Sequence, residues 1–169
     1  VEDVIEQLGL ALENQRLFDQ SQQRARELAI LNEMVGELTL LLQEESILDT
    51  IYQFTSRLMD TSNFYVAMHV PEREEINFPI AVENNKRVSW QSRPFGNGLI
   101  EFIIQMGEGL FFEDNLGEWI TTNDLDPVKT DARSWMGVPL RLGAEVTGVI
   151  VLQDNRPSFY SKAQFELLG

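Results

Sequence analysis

The stretch from Val1 to about Leu42 contains no proline and only two glycines, Gly9 and Gly36, while its apolar residues recur at steps of three and four. Such spacing predicts continuous helix, broken at most once. As one helix these 42 residues would reach about 63 Å at ~1.5 Å per residue, roughly twice the diameter of a small domain. A helix of that length does not fit inside one core. Ile5, Leu8 and Leu12 make one seam; Leu28, Leu31, Val35, Leu38 and Leu42 make another, out of phase with the first. Between them, Asp19 to Arg26 offers almost nothing apolar to bury. This middle portion must be solvated or paired with a second chain, since a lone helix in water is marginal. A fold-back onto its own domain near Asp19 to Arg26 is the alternative, and the spacing alone does not choose between them.

Downstream the period changes. Ser46, with Asp49 three positions later, is expected to open a second helix carrying Ile47, Leu48, Ile51, Phe54, Leu58 and Met59 and ending near Asp60. Phe64 to Val70 alternates as a strand until Pro71, and Ile76, Phe78, Ile80 and Val82 alternate again, with Pro79 demanding an edge or a bulge. Lys86 to Ser92 is expected to add a strand with Val88 and Trp90. Leu99, Phe102, Ile103 and Met106 take a helical spacing that Gly107 ends, and Leu110 to Phe112 suits a short buried strand. Asp114 to Arg133 is polar and contains Pro127, so it reads as a long excursion with one short helix around Leu116 to Ile120. Trp135 to Leu142 and Val146 to Leu152 form a hairpin joined at Gly143-Ala144-Glu145, and Ser161 with Gln164 makes a capping box for a terminal helix. The order describes an α+β domain: an antiparallel sheet with helices outside it.

Composition limits the chemistry. Of 169 residues 43% are hydrophobic, enough for a core and one domain plus an appendage. Lys plus Arg number 13 against 27 Asp plus Glu, a formal charge of -14, the wrong sign for nucleic acid or an anionic membrane surface. With no cysteine, disulfides, thiolate nucleophiles, thioether-linked cofactors and Cys-containing zinc sites are excluded. His69 is the single histidine, so every two-histidine metal motif is gone too. No apolar run approaches the ~20 residues of a membrane span, and the start has no signal-peptide pattern, so a cytoplasmic location is expected. The chain begins without Met and stops at Leu167-Leu168-Gly169, and is read as a piece of a longer protein.

Ser134-Trp-Met-Gly-Val-Pro-Leu140, Gly143 in a turn, Gly148-Val-Ile-Val-Leu152 and Phe159 before a capped helix together resemble the closing half of a GAF domain. Gly98-Leu-Ile with its helix and Gly107-Glu-Gly-Leu-Phe-Phe-Glu-Asp114 are similar to that family's middle segment, and Ile47 to Met59 followed by Phe64 to Val70 to its start. The resemblance covers Leu38 to Gly169 and sets residues 1–37 apart as a helical linker or coiled-coil segment leading in from a preceding domain, as in bacterial sensor histidine kinases. It implies a six-stranded antiparallel sheet with helices on one face, preceded here by a long N-terminal signalling helix, and a pocket on the other face for a small molecule. The branch that attaches a bilin and the free-methionine sulfoxide reductases both use cysteine, so covalent bilin and that catalysis are excluded. The cyclic-nucleotide signature is not intact: Asn85-Lys86 is followed by Phe95 and Asp114 at the wrong spacing.

Candidate side chains follow from this frame. His69 lies on the strand face opposite Val66 and Met68, and the resemblance would allow it as an axial haem ligand; a histidine satisfied by a hydroxyl or water is the plainer reading. Asp124 and Asp126, with Asn123, Asp114 and Glu118, have no EF-hand spacing and read as a solvated acidic loop, so no metal is expected. The pocket walls are expected from Tyr65, His69, Trp90, Phe112 and Trp135, suiting a small neutral or weakly polar ligand of unknown identity. Anions are disfavoured unless Arg93 or Arg133 reaches inward. No catalytic residue or cofactor is expected. The reading is a sensory or regulatory module working through a homodimer of the N-terminal and flanking helices, with activity in adjacent domains. A structural dimerisation module without ligand and an enzyme on the same fold are the alternatives.

Overall fold

A computed structural model of the protein describes the backbone of residues 2–127 and 130–169, and all side chains except those of residues 1–6, 37–42, 44, 128 and 129. The chain divides into two compact units, Val1–Glu45 and Ser46–Gly169.

Every described residue of the first unit is helical. Helix α1 runs over Glu2–Leu58, through the polar stretch Asp19 to Arg26 without a fold-back and on past Ser46. The expected fresh start at Ser46 is therefore corrected: one helix continues. The local reason is that Gln43 to Glu45 contain neither Pro nor Gly, and Ser46 serves inside the helix, its carbonyl accepting from the Thr50 Oγ1 at 2.8 Å. Leu28, Leu31 and Val35 are exposed; the side chains of Leu38 and Leu42 lie outside the described residues.

The second unit is built on a seven-stranded antiparallel sheet. In chain order come β1 (Phe64–Val70), β2 (Glu75–Glu83), β3 (Lys86–Val88), β4 (Arg93–Pro94), α2 (Leu99–Met106), β5 (Leu110–Phe112), α3 (Leu116–Thr122), β6 (Ser134–Leu142), β7 (Glu145–Asp154) and α4 (Lys162–Leu168). The spatial order is β3-β2-β1-β7-β6-β5, with the two-residue β4 also paired to β2. Strand β3 is shorter than Lys86 to Ser92, and Trp90 lies beyond its end. Ser161 caps α4 as expected, its Oγ accepting from the Gln164 N–H at 3.3 Å while Gln164 Oε1 accepts the Ser161 N–H.

Successive residues of β6 and β7 point to opposite faces, and both faces are covered, which explains the unbroken apolar run Val149 to Leu152. Ile150, Leu152, Met136, Phe64 and Val66 pack under Leu48, Ile51 and Tyr52 of α1, under Met59 just past its end, and under Tyr160 and Phe165 near the C-terminus. Val149, Val151, Trp135 and Ala67 pack under Leu99, Ile100 and Ile103 of α2 and Leu116 and Ile120 of α3. Thus the cover expected from the segment following Trp90 includes two short helices.

Pro79 produces a bulge. Val66 pairs with Ile80 but Met68 with Asn77, so Phe78 and Pro79 together oppose Ala67. The extra residue inverts the facing of the strand: Ile76 and Phe78 join the α2–α3 side, whereas Ile80 and Val82 join the α1–α4 side.

Candidate functional site

A cavity of about 430 Å³ opens between the sheet and the start of α2. Its walls come from β1 (Tyr65), β2 (Phe78), the β3–β4 connection (Trp90), β6 (Trp135) and α2 (Leu99, Ile100), with Arg93, Asp126 and Gln153 as polar additions. Tyr65, Phe78 and Trp90 form one cluster, with ring centroids 6.0 Å apart for Tyr65–Phe78, 4.9 Å for Tyr65–Trp90 and 5.3 Å for Phe78–Trp90. Trp90 is anchored at its far edge, where its Nε1–H donates to Glu83 Oε1 at 3.0 Å. Burial pushes the Tyr65 phenol far above its ordinary pKa, with a hydrogen bond from Trp135 acting the other way, so the ring carries no charge at neutral pH.

Of the side chains expected in the pocket, Tyr65, Trp90 and Trp135 line this cavity and His69 and Phe112 do not. His69 shares the sheet face of Tyr65 but lies four residues along the strand, its ring against Phe95 with centroids 4.6 Å apart. Phe112 is buried in the core, against Trp119 at 5.1 Å and Trp135 at 6.2 Å. Alternation assigns a face, not a position along it, and so could not separate these two from the others. Phe78 was hidden by the bulge, although Pro79 was the signal for it.

The wall beside α2 is held by Glu101, whose side chain is only 1% exposed. Its carboxylate accepts from both terminal nitrogens of Arg93, from the Gly96 N–H at 3.0 Å and from the Gly98 N–H at 3.2 Å. Glu101 stands at the third position of α2, so its reach back to Gly98 is half of a capping box. Arg93 does border the cavity, but this carboxylate neutralises it. Arg133 is bound to Asp114 instead.

The acidic loop is divided among such partners. Asp126 Oδ2 accepts the Asn97 N–H at 3.0 Å, and the Asp124 carbonyl accepts from Asn97 Nδ2 at 2.8 Å, tying the loop to the segment before α2. Among the described residues no three His, Asp or Glu side chains gather where they could hold a metal ion. Beyond Trp90 lies a larger, open groove of about 970 Å³ walled by polar groups such as Asn63, Asn85 and Asp131, and sharing Trp90, Thr130 and Gln153 with the cavity.

Burial alone would raise the pKa of Glu101, but the hydrogen bonds from Arg93 and Gly96 outweigh it and hold the carboxyl below its ordinary value of 4.5. Asp154 is likewise held below 3.8, chiefly by the hydrogen bonds from Arg156, at 2.8 and 3.0 Å. Groups whose folded pKa is depressed contribute stability above their unfolded pKa and lose it as pH falls toward the folded one. Denaturant midpoints should therefore be level near neutrality and fall progressively below about pH 4.5. A midpoint that rose on acidification would contradict these assignments.

Comparison with known proteins places the fold. A family model described as GAF domain matches residues 43–169. Among curated proteins no relative matches. The GAF domain of an Acinetobacter phosphoenolpyruvate-protein phosphotransferase is similar at 18% identity and TM-score 0.50, over 73% of this chain and 86% of that chain. Staphylococcus aureus NreA, mutated in its nitrate binding site, is similar at 14% identity and TM-score 0.51, over 72% and 94%. A type II free methionine-R-sulfoxide reductase from Thermoplasma acidophilum is similar at 19% identity and TM-score 0.46, over 63% and 68%. At these identities the first two likenesses speak to fold alone, and the third adds nothing to them. With the family model spanning residues 43–169 and the antiparallel sheet just described lying within that span, the chain belongs to the GAF domain family.

Proposed function

We propose that this GAF domain is a non-catalytic regulatory module that binds a small molecule in the cavity beneath α2 and passes its state on through a helical homodimer. The cavity carries this reading: it is of small-molecule size, enclosed mainly by aromatic and aliphatic side chains, with few polar anchors. Its relation to catalysis is also informative. The one imidazole packs on Phe95, away from the cavity, and no cysteine exists to serve as the nucleophile of a sulfoxide reductase. In this reading residues 1–37 lead in from a preceding domain, the protein works in the cytoplasm, and activity resides in a neighbouring domain such as a histidine kinase. No helix is long and apolar enough to cross a membrane among the described residues. Mass spectrometry of purified, then denatured, protein for co-purified small molecules tests the binding role; an empty spectrum would favour a purely structural module.

The dimer half of the proposal rests on α1. Leu28 and Leu31 are 60% and 55% exposed, on a helix that carries further exposed apolar residues, among them Leu17, Phe18, Ile30 and Met34. Burying such a seam against a second copy removes apolar surface from water at about 25 cal/mol per Å². Leu31→Glu should shift light-scattering mass toward the monomer at micromolar concentration while leaving the circular dichroism of the sheet unchanged. Monomeric parent protein at high micromolar concentration would sink the dimer.

A further inference from the structure

We propose that the cavity selects a small organic cation, an amine or quaternary ammonium with an apolar body, over neutral or anionic molecules of the same shape; this rests on reading the cavity as a ligand site. The first observation is the aromatic wall. Tyr65, Phe78 and Trp90 are each half-buried and border the same space, and the face of an aromatic ring is the negative part of its quadrupole. The hydrogen bond from the Trp90 indole to the Glu83 carboxylate adds negative charge at the edge of the best cation-binding ring of the three.

The second observation is the charge balance of the walls. Arg93 and Asp126 are the ionised residues among the described lining. The Arg93 guanidinium is held by the buried Glu101 carboxylate, so its charge is cancelled within the wall. Asp126 accepts a neutral backbone N–H, from Asn97, and no cation pairs with it among the described residues. A cation entering the space meets aromatic side chains and a carboxylate. An anion meets the same carboxylate and has to compete with Glu101 for Arg93. The chain's formal charge of -14 also raises the local concentration of cations around the molecule.

The test holds shape constant and varies charge. Choline, 3,3-dimethylbutan-1-ol and 3,3-dimethylbutanoate share a branched apolar head and carry positive, no and negative charge. In isothermal titrations of the whole chain, choline should bind about tenfold more tightly than the alcohol, and the carboxylate more weakly than either. Asp126→Asn and Trp90→Leu should each weaken choline several-fold, and Asp126→Asn should narrow the gap between choline and the alcohol. Equal or tighter binding of the alcohol, or tightest binding of the carboxylate, overturns the cation preference and leaves a ligand site. Silence from all three also overturns it, and the ligand site itself falls only if the mass spectrum of the denatured protein is empty as well. Choline binding insensitive to both substitutions overturns the assignment to this cavity.

Discussion

Glu101→Ala should destabilise the folded domain by about 2–5 kcal/mol, chiefly because it leaves two backbone donors without an acceptor at about 1–3 kcal/mol each. The side chain is 1% exposed and receives four hydrogen bonds, from two Arg93 nitrogens and the N–H groups of Gly96 and Gly98. Alanine would take the acceptor from all four at once. Arg93 is 41% exposed and can turn toward water, but the two backbone donors are fixed by the entry into α2. Glu101→Gln should cost less, because one amide oxygen still accepts while the amide nitrogen faces donors. Urea denaturation of the three proteins checks the order: parent most stable, then Gln, then Ala. An alanine variant within about 1 kcal/mol of the parent would show that water already satisfies these donors.

Trp135→Ala should cost a similar amount, about 3–5 kcal/mol, for a different reason. The indole is 1% exposed and lies over Gly137, two residues along the same strand. Only glycine leaves room there: a β-carbon at position 137 would come within 2.7 Å of Ile103 Cδ1 and closer still to the indole itself. The ring also meets Phe112 and closes one wall of the cavity, so its loss removes packing from α2 and enlarges the space beneath it. Trp135→Phe should recover most of the loss, and Gly137→Ala should produce a milder defect of about 1–3 kcal/mol by displacing the ring. Denaturant midpoints measure all three. If Gly137→Ala proves harmless, the indole is not confined as described.

Large parts of this architecture are legible in the residues because local physics decides them. Alternation of apolar residues specifies β1, β6 and β7, the capping pair Ser161 and Gln164 starts α4, and Gly107, at φ 70°, ends α2 where a side chain would be strained. Composition alone removes thiol chemistry and discourages anionic partners. The extent of α1 was legible up to Leu42, but its continuation through Ser46 was not, since a serine followed by an acidic residue also reads as a cap.

The cavity belongs to the other category. Its walls combine Tyr65, Phe78, Trp90, Leu99 and Trp135, residues up to seventy positions apart, brought together because β7 inserts between β1 and β6. Periodicity says which face a side chain takes, but neither which strand lies beside it nor how far along the sheet it stands; hence Phe112 went to the core and His69 to Phe95. A one-residue bulge at Pro79 moved Phe78 to the cavity face, and the pairing of Arg93 with Glu101 set the charge of the wall. The chain by itself thus determined the elements and the chemistry unavailable to them, because these depend on neighbours a few residues away. The tertiary structure alone decided which side chains share the cavity and with what charge, because those depend on pairings between distant segments.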